Sequence, residues 1–156
     1  MNEYLEEARE ELKRVDHIIY VSLKYTRTVD VIRNALLRMV SACDFIVAGI
    51  LEYNKEQKKI KKLPETPKQR IDVLRDLYKD DKILMNYINF YVFLRELVKT
   101  TYKKREEYRR HVTMIADLEN QTAEVNIDVL EDNYDKAAKD FITYAEVLVG
   151  EGPVEE

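Results

Sequence analysis

The chain has 156 residues, 46% of them apolar and 36% charged, with three Gly, three Pro, no Trp and a net charge of −4. That length supports one domain with a real core, and the composition excludes collagen-like, low-complexity and disordered classes. One Cys excludes a disulfide framework or Cys-rich zinc site, two His leave little scope for a histidine-ligated metal, and an acidic balance excludes a chain that is basic throughout.

Residues 1–16 begin as a charged helix without the apolar core of a signal peptide. Leu5, Ala8, Leu12, Val15 and Ile18 or Ile19 recur at helical spacing, Asn2 is a candidate N-cap, and the helix is expected to end near Tyr25. The second helix is read over 27–60, capped from Thr26-Arg27-Thr28. It carries two adjoining stripes, Ile32, Leu36, Met39, Cys43, Ile46, Ile50 and Leu37, Val40, Val47, Leu51. So wide a stripe fits a central helix with several neighbours, or one face for the core and another for a second copy. Its most apolar part, 36–51, is interrupted by Arg38 and Asp44 and falls short of the about 20 residues that span a bilayer. A cytoplasmic protein without a membrane segment is the expectation.

Lys62-Leu63-Pro64-Glu65-Thr66-Pro67 is the sharpest break, with Thr66 as N-cap and Pro67 at the first helical position. A short third helix follows over 67–78. Asp80 or Asp81 caps a fourth, which the spacing of Val112 and Ile115 extends to about Asp117. Residues 119–122 read as a turn and 124–127 as a short extended piece. Asp128 and Glu131 have capping-box spacing before a fifth helix from Val129 to Leu148, ended by Gly150, Gly152 and Pro153. No convincing strand pair emerges. The expected fold is all-α, an up-and-down bundle of four long helices plus one short helix, forming a single domain over 1–150 with a frayed acidic tail over 151–156.

Charge is lopsided. From Lys55 to Arg110 there are 17 Lys and Arg against 9 Asp and Glu, a balance of +8, and the remainder carries −12. The excess lies in Lys55, Lys58, Lys59, Lys61, Lys62 and in Lys103, Lys104, Arg105, Arg109, Arg110, two clusters expected at one end of the bundle. Such an end suits RNA phosphate or another anion, with Lys103, Lys104, Arg109 and Arg110 as its contacts. Solvated helix faces would carry the same charges.

Within Arg105-Glu106-Glu107-Tyr108-Arg109-Arg110-His111, a guanidinium that holds phosphate stands two helical turns from an imidazole that exchanges protons near neutral pH. Two such pairs across a two-fold axis would supply a general acid and a general base without metal. A surface His111 paired with Glu107 is the plainer reading. His17 beside Asp16 reads as a core-edge or surface residue. No Glu-x-x-His element exists, since Arg14 and Tyr108 stand three before the histidines, so a di-iron bundle is disfavoured and no metal or cofactor is expected. Asp44, flanked by Leu37, Val40, Val47 and Leu51, is the best candidate for a buried acid, either functional or hydrogen-bonded to a Tyr or Arg, and Cys43 reads as core. The tyrosines of the fourth helix, Tyr87, Tyr91 and Tyr102, suit packing or base stacking.

The order of these segments resembles the HEPN superfamily of small helical bundles. The residues that carry the resemblance are Tyr4-Leu5-Glu6-Glu7-Ala8, the Ala-containing helix around Val40–Gly49, the Leu63-Pro64 break, Arg105…His111, and Val125-Asn126-Ile127-Asp128 leading to Phe141-Ile142-Thr143-Tyr144-Ala145-Glu146. The resemblance covers 4–149 as a pattern of helices and spacings. It implies a homodimer and, in active members, a metal-independent endoribonuclease with an Arg-x(4–6)-His motif. Arg105 and His111, with five residues between them, fit that window. Glu106 departs from the Asn, Asp or His usual after the Arg. The expected function is therefore a non-catalytic dimeric module binding a protein or RNA partner, with the ribonuclease using Arg105 and His111 as the alternative. A small-molecule or metal site built on Asp44, Glu52 and the tyrosines is a third reading that no spacing favours.

Overall fold

A computed structural model describes residues 2–151, leaving out the side chains of residues 136 and 137; residues 152–156, most of the expected tail, lie outside it. The first helix, α1 (Glu3–His17), is capped by the Asn2 side chain, which accepts from the Leu5 N–H at 3.2 Å. It runs on through a π-helical turn (Ile18–Ser22) into a last α-turn, α2 (Leu23–Tyr25). Thr28 then accepts from the Val31 N–H and opens the long central helix α3 (Val29–Glu56). α4 (Pro67–Leu77) has the expected Thr66 cap, completed as a capping box by Gln69. Asp81 caps α5 (Lys82–Lys99).

The chain then departs from the expected helix. Residues 102–125 form an antiparallel meander of β1 (Tyr102–Arg105), β2 (Thr113–Leu118) and β3 (Gln121–Val125). Its register pairs Tyr102 with Ala116, Arg105 with Thr113, and Leu118 with Gln121 around a Glu119-Asn120 turn. The competing signal was a period of two. Val112, Met114 and Ala116 alternate and are fully buried, whereas Val112 and Ile115 alone mimic a helix. Thr100-Thr101 makes the break. The Thr100 hydroxyl donates to the Asp117 carbonyl, and the Asp117 N–H to the Thr101 carbonyl at 2.9 Å, while Arg33 donates to the Val98 carbonyl at the end of α5. The protein is thus mostly helical, with a three-stranded sheet where an all-α fold was expected.

Asn126, not Asp128, caps the next helix, α6 (Ile127–Asp132), by accepting from the Val129 N–H. A π-helical segment (Asn133–Ala138) leads from it into α7 (Lys139–Leu148). Contacts fix the helix directions. Glu11 meets Arg38 and Asn2 meets Gly49, so α1 and α3 are antiparallel. Tyr91 bonds Asp44 and Arg33 bonds Val98, so α5 opposes α3. Phe141 stacks on Tyr87 and Tyr144 bonds Asp81, so α7 opposes α5. α3 is the spine of the core, fully burying Ile32, Leu36, Met39, Ile46, Ile50 and Leu51. By length and composition α3 is apolar enough to cross a membrane, contrary to the estimate from 36–51, but 67% of that stretch is buried inside the fold.

Candidate functional site

Three tyrosine–aspartate bonds tie the helices together. Tyr91, 2% exposed, donates to Asp44, which also receives Arg95 at 3.3 Å. Burial pushes the Asp44 carboxyl above the ordinary value, and the bonds from Tyr91 and Arg95 oppose that shift. Tyr134 donates to Asp16 at 3.0 Å, and Tyr144 to Asp81 at 2.6 Å. Asp44, expected as the buried acid, is only half-buried and is held by a Tyr and an Arg that join α3 to α5; the acid that is buried is Glu11, 6% exposed, which pairs with Arg14 and Arg38. Glu52 lies elsewhere, in a groove with Glu3, Glu6, Glu7 and Glu56. Cys43 is fully buried, and burial raises its thiol far above the ordinary value, so it presents no thiolate nucleophile. His17 is exposed.

The residues of the Arg105–His111 motif are not on a helix. Arg105 ends β1 and is ion-paired with Glu124 of β3. The connection to β2 contains two non-glycine residues in left-handed conformation, Glu106 (φ 53°) and Tyr108 (φ 67°). Between them Glu107 reaches the start of α3 and accepts from the Val29 N–H at 2.9 Å. The Tyr108 N–H donates to the Arg27 carbonyl at 2.7 Å. Lys104 lies 3.2 Å from Asp30, which raises its pKa, and 3.7 Å from Glu107. These bonds clamp the loop onto the junction between α2 and α3. They also separate the two basic clusters. The hairpin sits at the N-terminal end of α3, whereas Lys55–Lys62 follows its C-terminal end, about 40 Å away for a helix of 28 residues.

Clamping the loop carries Arg110 and His111 to the mouth of a cleft of about 210 Å³. Its opposite sides are Ile19, Tyr20, Leu23, Lys24 and Arg27 from the first helical stretch, and Asn126, Ile127, Asp128 and Glu131 from the start of α6. His111 is exposed, and its carbonyl accepts from the Thr113 hydroxyl at 2.8 Å. Arg27 is half-buried, and its Nε has no hydrogen-bond partner among the described residues. Two aromatic rings stand near the cleft in solvent, Tyr25 at 85% and Tyr108 at 77% exposure. The structure thus joins Arg110 and His111 but leaves Arg105 on the sheet; Lys103 and Arg109 are exposed beside the loop. Sequence reasoning missed Tyr20, Lys24 and Arg27. The signal was Lys24-Tyr25-Thr26-Arg27, a small basic and aromatic group at a helix end, treated there only as a boundary. Among the described residues no group of three or more His, Cys, Asp or Glu is placed to hold a metal.

The chain matches no family model, no curated protein and no solved structure among those compared with it.

Proposed function

We propose that this chain is a non-catalytic, dimeric helical module of HEPN type that binds RNA through its hairpin end in a cytoplasmic setting. The observation that carries the reading is the convergence of Lys24, Arg27, Arg110 and His111 on one cleft, with Tyr25 and Tyr108 exposed nearby. Cations that meet phosphate beside rings that stack on bases are the two components of single-strand recognition. Lys103 and Arg109 extend the charge along the hairpin. Partly exposed apolar residues, Leu37 on α3 and Phe93 on α5, offer contact area to a second copy.

The alternative is a metal-independent endoribonuclease using Arg105 and His111. In its favour His111 lines a basic cleft; against it Arg105 is engaged by Glu124 and lines no part of that cleft. One experiment separates the two. A labelled single-stranded RNA is incubated with the protein in EDTA, scored for cleavage and for retardation across a salt series. Retardation without cleavage, weakened by salt and by neutralising Lys103, Arg109 and Arg110, is the expected result. Cleavage lost in both Arg105→Ala and His111→Ala would establish the nuclease instead. Neither cleavage nor retardation would overturn both and move the role to a protein partner.

A further inference from the structure

The cleft is too small to enclose a run of nucleotides. Its volume of about 210 Å³ lies below the about 300–1,000 Å³ of sites that enclose drug-sized ligands. It therefore admits a phosphoryl group with its sugar, but not a run of nucleotides. Lys24, Arg27 and Arg110 supply the cations, and Asp128 and Glu131 lie on the side formed by α6. Three cations against two carboxylates leave the lining net positive, which draws a dianion more strongly than the single charge of an internal phosphodiester. A phosphate monoester carries about −1.5 to −2 at neutral pH, and a carboxylate is a pure acceptor that suits ribose hydroxyls. The Nε atoms of Arg27 and Arg33 are both buried with no partner among the described residues; Arg27 lines the cleft, where an acceptor oxygen would relieve that condition.

We infer that the cleft is a site for a phosphate monoester carried on ribose, either the phosphorylated end of an RNA or a free nucleoside monophosphate. Lys24, Arg27 and Arg110 hold the phosphate, Asp128 and Glu131 accept from the sugar hydroxyls, and Tyr20 at the rim, 38% exposed, packs against the nucleoside. Only the RNA source rests on the function proposed above; the site itself does not.

The test measures binding of a short oligouridine with a terminal phosphate at the 5′ or 3′ end, the same oligomer with hydroxyl ends, and uridine monophosphate. The expected result is tighter binding of one phosphorylated oligomer by about tenfold or more, the size of one charge-assisted contact. Uridine monophosphate should compete for that increment, and Arg27→Met and Arg110→Gln should abolish it. Arg27 also holds the loop through its carbonyl, so Arg110→Gln, at an exposed position, keeps the test valid if Arg27→Met does not fold. Equal affinity for phosphate and hydroxyl ends, with no binding of uridine monophosphate, overturns the site and leaves the RNA reading standing. Binding of uridine monophosphate, lost in Arg110→Gln, with neither oligomer retained, supports the site and overturns the RNA reading. No binding of any probe overturns both.

Discussion

Replacing Glu107 by Ala tests whether the hairpin loop is fastened to the central helix or merely rests beside it. The Glu107 carboxylate accepts from the Val29 N–H at 2.9 Å, and Val29 is fully buried at the first position of α3. That N–H has no partner within the helix. A hydrogen bond to an ionised acceptor contributes about 1.5–3 kcal/mol, and a negative charge at a helix N-terminus about 0.3–1 kcal/mol. The side chain is 27% exposed, so water replaces part of what is lost, and the lower end applies: about 2 kcal/mol for Glu107→Ala. Glu107→Gln keeps an acceptor without the charge and should lose about half as much. For a domain of this size each kcal/mol is about 2–4 °C in Tm, so the Ala variant should melt about 4–8 °C lower. Calorimetry gives the Tm, and amide exchange at Val29 and Tyr108 shows whether the loop has lifted. A Tm within 1 °C of the parent, with exchange at Val29 unchanged, would refute the reasoning.

Three further outcomes follow from the packing. Gly49→Ala places a methyl 2.9 Å from Leu5 Cδ2 and 3.1 Å from Asn2 Oδ1; overpacking of about 1–3 kcal/mol exceeds the gain of about 1 kcal/mol in helix propensity, so the urea midpoint should fall, and a rise would contradict the close approach of α1. Tyr144 is held up to about 12 from 10.0, first by its bond to Asp81 and then by burial; a raised phenol favours the folded state below pH 10 and loses that contribution as pH climbs to 12, so Tyr144→Phe should flatten the alkaline loss of stability, and an unchanged slope would sink the assignment. Val47, 1% exposed, lies in the apolar core, and Val47→Asp should cost about 3–5 kcal/mol, read as loss of cooperative helix melting by circular dichroism.

What was legible in the sequence followed from local chemistry. The caps Asn2, Thr66 and Asp81 bond nearby N–H groups, the Pro64–Pro67 break is a stereochemical stop, and the stripes of α3 record its neighbours on several sides. Asp44 was legible too, since a polar residue inside an apolar stripe needs a partner and Tyr91 and Arg95 provide it. The hairpin was not, because its four-residue first strand, Tyr-Lys-Lys-Arg, carries no alternation and is exposed along three of its positions. The cleft was also hidden. Its walls come from residues 19–27, 110–111 and 126–131; the Glu107 and Tyr108 bonds bring the hairpin loop to the first of these, and core packing of Ile19, Leu23 and Leu130 joins it to the last.

The loop between β1 and β2 makes most sense as a device for position rather than for stability. A two-residue turn built on Gly or Asn would close a hairpin without strain. Here the connection spends two non-glycine residues in the left-handed region, a conformation that costs roughly 1–2 kcal/mol per residue, at Glu106 and Tyr108. The bonds to Val29 and Arg27 offset that cost, and both would be unnecessary in a shorter loop. What the longer path achieves is placement. It brings Arg110 and His111 to the cleft that Lys24 and Arg27 line. Strain held in place by specific bonds, at a point where basic side chains from distant segments meet, is the pattern of a ligand site. Glu106→Gly would remove strain from the loop without touching a cleft side chain or the Tyr108 ring. A loop kept for position should then gain Tm and lose ligand affinity together, because a relaxed glycine frees the loop to leave the cleft. A gain in Tm with affinity intact would show that the strain holds nothing in place.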